Sequence, residues 1–343
     1  LFIGEENFMS YRKLNYLAQA TLATVLGLST LALSNNTPAQ AASFEITDFS
    51  SISGATDVQV NGINDSGEIV GYYVDANGNV ESFSYSGTTY TPLNGPGGAT
   101  DVQANGINNS REVVGSYVNA SGNTESFSYS GTTYTTLYGP GGSSDTFVQA
   151  DGINSSGEIV GYYVNANYST VGFLYSGHTY TTLNGPSGAT YVQADGINSS
   201  GEIVGYYQDA NGNIDGFSYS GTTYTTLNGP GGATDVQAYG INNSGEIVGY
   251  YQDANGNTDG FIEEGGDYTT IDYPDAIDTY VTGINNNGEI VGYYQDAQGT
   301  FGFTALAEPV PEPLTILGSL TAAGLGVVLR RRQGQLKNHR NTR

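Results

Sequence analysis

The sequence contains no cysteine. That excludes disulfides, thiolate metal sites and a cysteine nucleophile. Stability must come from packing, closure of the fold or bound ions. Basic residues are almost as scarce: nine Lys and Arg stand against 33 Asp and Glu, for a net charge of −24. Between Ala42 and Glu308 the one basic residue is Arg111, among 30 acids, so this span carries −29. Nucleic acid would be repelled, because its binders present a basic footprint. Solubility is the plain reading of such a charge, and cation binding the functional one. Histidine occurs once in this span, as His178, which stands in Ser-Gly-His-Thr-Tyr where other copies have Ser-Gly-Thr-Thr-Tyr. That is a turn position, and nothing marks the third group that a Ser/His/Asp site needs. Long helical periodicity is also absent from this span.

What is present is one unit, repeated. The triplet Gly-Ile-Asn starts at Gly62, Gly106, Gly152, Gly196, Gly240 and Gly283, at spacings of 43 to 46 residues. A fixed period in this range means a propeller, a solenoid or an array. In the copy from Tyr191 to Leu227, four short strands are read at Val192–Ile197, Glu202–Tyr207, Asp215–Tyr219 and Thr223–Leu227. Turns rich in Asn-Gly or Ser-Gly separate them, which are hairpin signals. Four antiparallel strands per period predict a β-propeller blade. The sixth copy lacks a fourth strand, whereas Phe44–Phe49 is an orphan strand with the pattern of Tyr268–Tyr273. Joining them removes the unpaired edge. The expected fold is therefore all-β: a six-bladed β-propeller over 42–307, closed by the N-terminal strand.

The triplet, the following Gly-Glu-Ile-Val-Gly and the Gly-Phe-x-Tyr segment resemble the HAF family of extracellular repeats across about 260 residues. The family's His-Ala-Phe is replaced here, as at Asp215-Gly216-Phe217. The resemblance implies an extracellular location and no particular chemistry.

The two ends read as addresses. Arg12 and Lys13, an apolar run and Ala39-Gln40-Ala41 make a secretory signal peptide over 9–41, cut after Ala41. In the tail, 308–343, the motif Pro311-Glu312-Pro313 precedes an apolar stretch, 314–329, and the cluster Arg330-Arg331-Arg332. Sixteen helical residues reach about 24 Å, a short transmembrane span. This order resembles the PEP-CTERM sorting signal of Gram-negative bacteria. The resemblance implies recognition by a membrane protease, exosortase, with a transient inner-membrane anchor. Release or transfer to the cell surface or extracellular matrix would follow.

Candidate chemistry lies in the loops. The loop between strands two and three should share a face with the inter-unit loops, which include Asp101, Asp145 and Asp235. Oxygens alternate at Asp75, Asn77 and Asn79, at Asp209, Asn211, Asn213 and Asp215, and at Asp253, Asn255, Asn257 and Asp259. Calcium takes six to eight oxygens, so these are candidates for weak Ca²⁺ binding, although Asn-Gly is also the favoured hairpin turn. Tyrosine pairs such as Tyr206-Tyr207 should be mostly core, with those at the rim free to stack on sugars. The expected function is a structural or polysaccharide-binding protein of the cell surface, without enzymatic activity. The alternative is a paired-carboxylate glycosidase using the acids that break the repeat, Glu263, Glu264 and Asp267. The acids opening the second strand, Glu68, Glu158, Glu202, Glu246 and Glu289, are assigned to the fold instead.

Overall fold

The computed structural model describes residues 44–48, 52, 54–87, 89–142 and 147–307. The signal segment, Ala39 and Ala41, Asp145 and the whole sorting tail with its apolar stretch lie outside the described residues.

The first strand, β1 (Phe44–Asp48), stands apart from the repeat. Six sets of consecutive strands follow. Unit one holds β2 to β5 (Asp57–Ile63, Ile69–Val74, Val80–Ser86, Thr89–Leu93). Unit two holds β6 to β9 (Thr100–Ile107, Val113–Val118, Thr124–Tyr129, Tyr134–Leu137). Unit three holds β10 to β13 (Phe147–Ile153, Ile159–Val164, Thr170–Ser176, Thr179–Leu183). Unit four holds β14 to β17 (Tyr191–Ile197, Ile203–Gln208, Ile214–Tyr219, Tyr224–Leu227). Unit five holds β18 to β21 (Thr234–Ile241, Ile247–Gln252, Thr258–Glu264, Asp267–Ile271). Unit six holds β22 to β24 (Asp278–Ile284, Glu289–Gln295, Thr300–Ala307).

Within each unit, neighbours in sequence pair antiparallel, so the architecture is all-β and built of repeated four-stranded sheets. Unit six gains its fourth strand from β1, which pairs antiparallel with β24 from Phe44 opposite Ala307 to Asp48 opposite Phe303. One parallel bridge, Asp57 to Thr300, links units one and six. The alternation of the sequence explains the sheets. In β2 every second residue is buried, as period-2 patterning requires of a half-buried strand.

One apolar face of each unit packs on the preceding unit. In one such layer Val160 of unit three meets Val192, Ala194, Ile203, Tyr207 and Phe217 of unit four. A fully buried phenylalanine centres every layer: Phe83, Phe127, Phe173, Phe217, Phe261 and Phe303. Burying each contributes roughly 1.5–3 kcal/mol. In units one to five the strand-four tyrosine meets it edge-on, as Tyr180 does Phe173 at 5.4 Å between ring centroids.

The Gly-Ile-Asn triplet ends the innermost strand of each unit. Its glycine follows a bulge, as at Ala150/Gly152. A Cβ on Gly152 would stand 2.5 Å from the backbone oxygen of Asp195 and 3.2 Å from the Cα of Gly196. The innermost strands therefore converge at a point where no side chain fits. The asparagine does two jobs. The Oδ1 of Asn154 accepts the backbone N–H of Ser156 and of Glu158, closing its own turn. Its Nδ2 donates to the backbone oxygen of Asn198 in the next unit, at 3.1 Å. The same bond runs from Asn64 to Asn108, Asn108 to Asn154, Asn198 to Asn242, and Asn242 to Asn285. It returns from Asn285 to Asn64 at 3.1 Å, so the series of units closes on itself.

Candidate functional site: the central cavity

The six innermost strands enclose a cavity of about 310 Å³. Its wall is polar because the inward positions of these strands are amides, acids and hydroxyls. The first inward position is glutamine in units one to five, as at Gln59 and Gln193, and tyrosine in unit six. The second, just before the triplet glycine, is Asn61, Asn105, Asp151, Asp195, Tyr239 and Thr282 in turn. At one mouth stand the triplet asparagines with the next residues, among them Asp65, Asn109, Asn243 and Asn286. These mouth residues interlock. Asn286 donates its backbone N–H to Asp65 Oδ1 at 2.9 Å, and Asp65 its own to Asn109 Oδ1 at 2.9 Å. Hydrogen bonds from Asn286 and Asn109 hold the Asp65 carboxyl below its ordinary range, against the effect of its partial burial.

The structure splits the tyrosine pairs. The second member, such as Tyr163, Tyr207 or Tyr251, is buried in the apolar layer between units. The first member turns to the glutamine of the innermost strand. Tyr72 donates to Gln59 Oε1 at 2.6 Å and Tyr250 to Gln237 Oε1 at 3.0 Å, while Tyr206 donates to Gln193. Burial raises these hydroxyls above their ordinary range. Tyr250 is pushed up to about 12, and Tyr162 and Tyr206 higher, with Asp151 and Asp195 respectively adding to the effect. All stay protonated and neutral at physiological pH.

The candidate calcium turns lie elsewhere. An antiparallel meander puts the loop between strands two and three at the end opposite the Gly-Ile-Asn turn, beside the inter-unit loops. Each first aspartate is engaged by its own loop. Asp75 Oδ1 accepts the backbone N–H of Asn77 and of Asn79, at 2.8 and 2.9 Å. Its Oδ2 accepts both asparagine side-chain amides, at 3.2 and 3.0 Å. Asp209 with Asn211 and Asn213, and Asp253 with Asn255 and Asn257, repeat this pattern. These bonds hold Asp75 down at about 2. The last acid of the alternating set faces away: Asp259 Oδ2 accepts from the Tyr251 hydroxyl at 3.4 Å. Burial raises Asp259, and with it Asp215, above the ordinary range. The inter-unit acids Asp101 and Asp235 sit near the entries of β6 and β18, both at φ 49°.

The glycosidase candidates share one outer hairpin. Glu264 pairs across it with Asp267, and Glu263 with Tyr268. Glu263 is buried and its Oε1 accepts the N–H of Gly266 at 2.5 Å, while the other two acids are exposed. None of the three lines the cavity. His178 occupies an exposed outer turn at φ 66°, its Nδ1 3.1 Å from the Tyr175 hydroxyl. Arg111 occupies a turn position at φ 64° and pairs with Glu68 at 2.9 Å. The repeated glutamates serve the frame: Glu158 accepts from Asn154 Nδ2 at 2.7 Å and from Ser176 Oγ at 2.9 Å. Among the described residues no group of three or more His, Asp or Glu side chains is placed to hold a metal ion.

Sequence reasoning placed the polar ring at the loops and missed the cavity wall. The signal was available, because the residue before each Gly-Ile-Asn takes four identities across the six units while its surroundings repeat.

No protein family and no curated protein matches this sequence. Solved structures do resemble it. AofleA from Arthrobotrys oligospora aligns with a TM-score of 0.50 at 11% identity, over 78% of this chain and 90% of its own. The fucose-specific lectin from Aleuria aurantia aligns with a TM-score of 0.45 at 16% identity, over 75% of this chain and 97% of its own. The β-propeller domain of the Trilobed protease from Pyrococcus furiosus gives 0.43 at 9% identity, over 76% and 99%. At such identities the likeness to AofleA is one of fold alone: a closed series of small antiparallel sheets.

Proposed function

We propose that the described region is a six-bladed β-propeller and that the protein is an exported, non-catalytic component of the cell surface or matrix that binds polysaccharide. The observation that carries the binding is the cavity mouth. There, Asn and Asp side chains from every side present donors and acceptors to one space of about 310 Å³, with tyrosine hydroxyls deeper in the wall. Sugars are recognised by such convergent, orientation-fixing polar groups. No basic residue lines the cavity, so neutral glycans suit it better than uronate-rich ones. The solved lectins with a similar fold include one described in complex with α-methyl fucoside, a neutral sugar. The basic n-region, the Pro311-Glu312-Pro313 motif and Arg330 to Arg332 support export and exosortase-type processing in the same reading.

The test is a panel of immobilised neutral and uronate-containing oligosaccharides, probed with the full chain and with Asn109→Ala/Asn243→Ala. Binding to neutral members that the double variant loses, with its fold intact by circular dichroism, is the expected result. No binding across the panel, or binding indifferent to the substitutions, would remove the reading. Processing is tested by the mass and location of the protein in cells with and without an active sorting protease.

A further inference from the structure

Two innermost strands carry an acid where their neighbours carry a hydrogen-bond donor. Just before the triplet glycine, Asn61 donates Nδ2 to the backbone oxygen of Ala104 in the next unit, at 3.0 Å. Asn105 donates likewise to Ala150 at 3.0 Å, and Thr282 to Val60 at 2.6 Å. Units three and four place Asp151 and Asp195 at this position, and an ionised carboxylate has no proton to donate. The two strands nearly touch one residue later, at Gly152 and Gly196. Two acids are thus set side by side in the cavity wall.

Neither acid is satisfied by the protein. Asp195 is 6% exposed, and its Oδ2 has no hydrogen-bond partner. Asp151 Oδ1 accepts from Asn105 Nδ2 at 3.1 Å and Gln149 Nε2 at 2.9 Å, but its buried Oδ2 has none. No countercharge is within reach. Arg111 and His178 are the basic side chains among the described residues, the first paired with Glu68 and the second in an outer turn. The titratable groups facing the pair are the hydroxyls of Tyr162, Tyr191, Tyr206, Tyr239 and Tyr250, all neutral. Burying an unpaired carboxylate is strongly unfavourable, so the pair must take up either protons or a cation.

We propose that Asp151 and Asp195 are the anionic ligands of a single Ca²⁺ ion in the central cavity, with water and cavity amide oxygens completing its shell. The donor set consists of oxygens, without nitrogen or sulfur, which selects a hard cation. The space holds a partly hydrated ion with room to spare. Without the ion, burial drives the pair to hold a proton. Asp151 is pushed up to about 7, and Asp195 is raised by burial and then by the charge of Asp151. Ion and proton therefore compete for the same oxygens. None of these observations rests on glycan binding at the mouth.

The experiment is calorimetric titration of the chelator-treated full chain with CaCl₂ alone. Uptake of one ion per chain is expected, abolished in Asp151→Asn/Asp195→Asn and retained in Asp75→Asn/Asp209→Asn/Asp253→Asn. The paired asparagines restore what units one and two already carry, so the variant keeps its fold, which its melting temperature in EDTA verifies. Terbium(III), a calcium-sized probe, should luminesce on tyrosine excitation in the parent chain and not in the paired variant. Calcium affinity should fall at least about tenfold between about pH 7.5 and about pH 5.5, as protons reclaim the carboxylates. Unchanged uptake in the paired variant, loss in the turn variant instead, or no uptake at about pH 7.5 would each overturn the proposal.

Discussion

A single asparagine in each unit carries more of this fold than any other side chain. Asn154 is 4% exposed, closes its own turn through two backbone donors and ties its unit to the next. Replacing it with alanine strands the buried Asn198 carbonyl and two part-buried N–H groups at once, each worth up to roughly 1–3 kcal/mol, and hydration of the N–H groups recovers part of that. Asn154→Ala should therefore cost roughly 2–4 kcal/mol in urea unfolding. Asp209→Ala, in a fully solvated turn with a similar hydrogen-bond pattern, should cost distinctly less. Equal losses would show that the turn closure common to both, and not burial or the link between units, decides the matter. The neighbouring glycine is still less replaceable. In Gly152→Ala the new methyl would meet backbone atoms on the adjacent strand, which cannot swing aside. A cost of about 3 kcal/mol or more is expected, read in the same assay.

At the scale of the element, β1 is the piece on which closure depends. It pairs with the last strand of the repeat, although roughly 250 residues of chain separate the two in order of synthesis. A chain lacking 42–48 would leave β24 with an open edge, an invitation to intermolecular pairing. Amide hydrogens of β24 should then lose exchange protection and the protein should associate, while units two to four keep most of theirs. Uniform protection in the truncated chain would show that β1 is dispensable. This closure was legible in the sequence, because a missing fourth strand and an orphan strand are both visible in a period of fixed content. The hairpins were legible for the same reason, with β14 to β17 found within a residue or so of the expected bounds. The glutamates assigned to the start of strand two precede it by one residue in four of their five units, as Glu68 precedes β3, because the asparagine turn captures their N–H groups. The fate of the tyrosine pairs was half legible. Alternation says that Tyr206 and Tyr207 face opposite ways, but not that one side is apolar core and the other a glutamine layer. The cavity acids were not legible as a pair. Asp151 and Asp195 are 44 residues apart by number, and their adjacency arises only when neighbouring units are packed side by side.

For the molecule as a whole, charge and closure act against each other. The described region carries nearly all the acids of the chain and one arginine, so ionisation repels across a ring that cannot expand without breaking. The individual acids fall into two classes with opposite consequences. Asp75, Asp209 and Asp253 are held low by their turns, so the stability they supply is present above about pH 4 and lost as pH falls toward about 2. Asp151 and Asp195 are held high by burial, and Asp215, Asp259 and Asp272 shift the same way. What Asp151 supplies is present in full below about pH 4 and is lost as pH rises through about 7, and the rest of this class loses its contribution in the same direction. In EDTA the melting temperature should therefore peak on the acid side of neutrality and decline toward about pH 8, by several degrees at roughly 2–4 °C per kcal/mol. Calcium should lift the alkaline limb by pairing the ionised carboxylates. Asp151→Asn/Asp195→Asn should flatten that limb with no calcium added, since an amide has no charge to bury. Thermal melts of the two proteins across this range, with EDTA and with calcium, separate the local cause from the global one. If both proteins decline alike in EDTA, the repulsion belongs to the ring as a whole; if the paired variant alone is level, two side chains in the cavity set the limit.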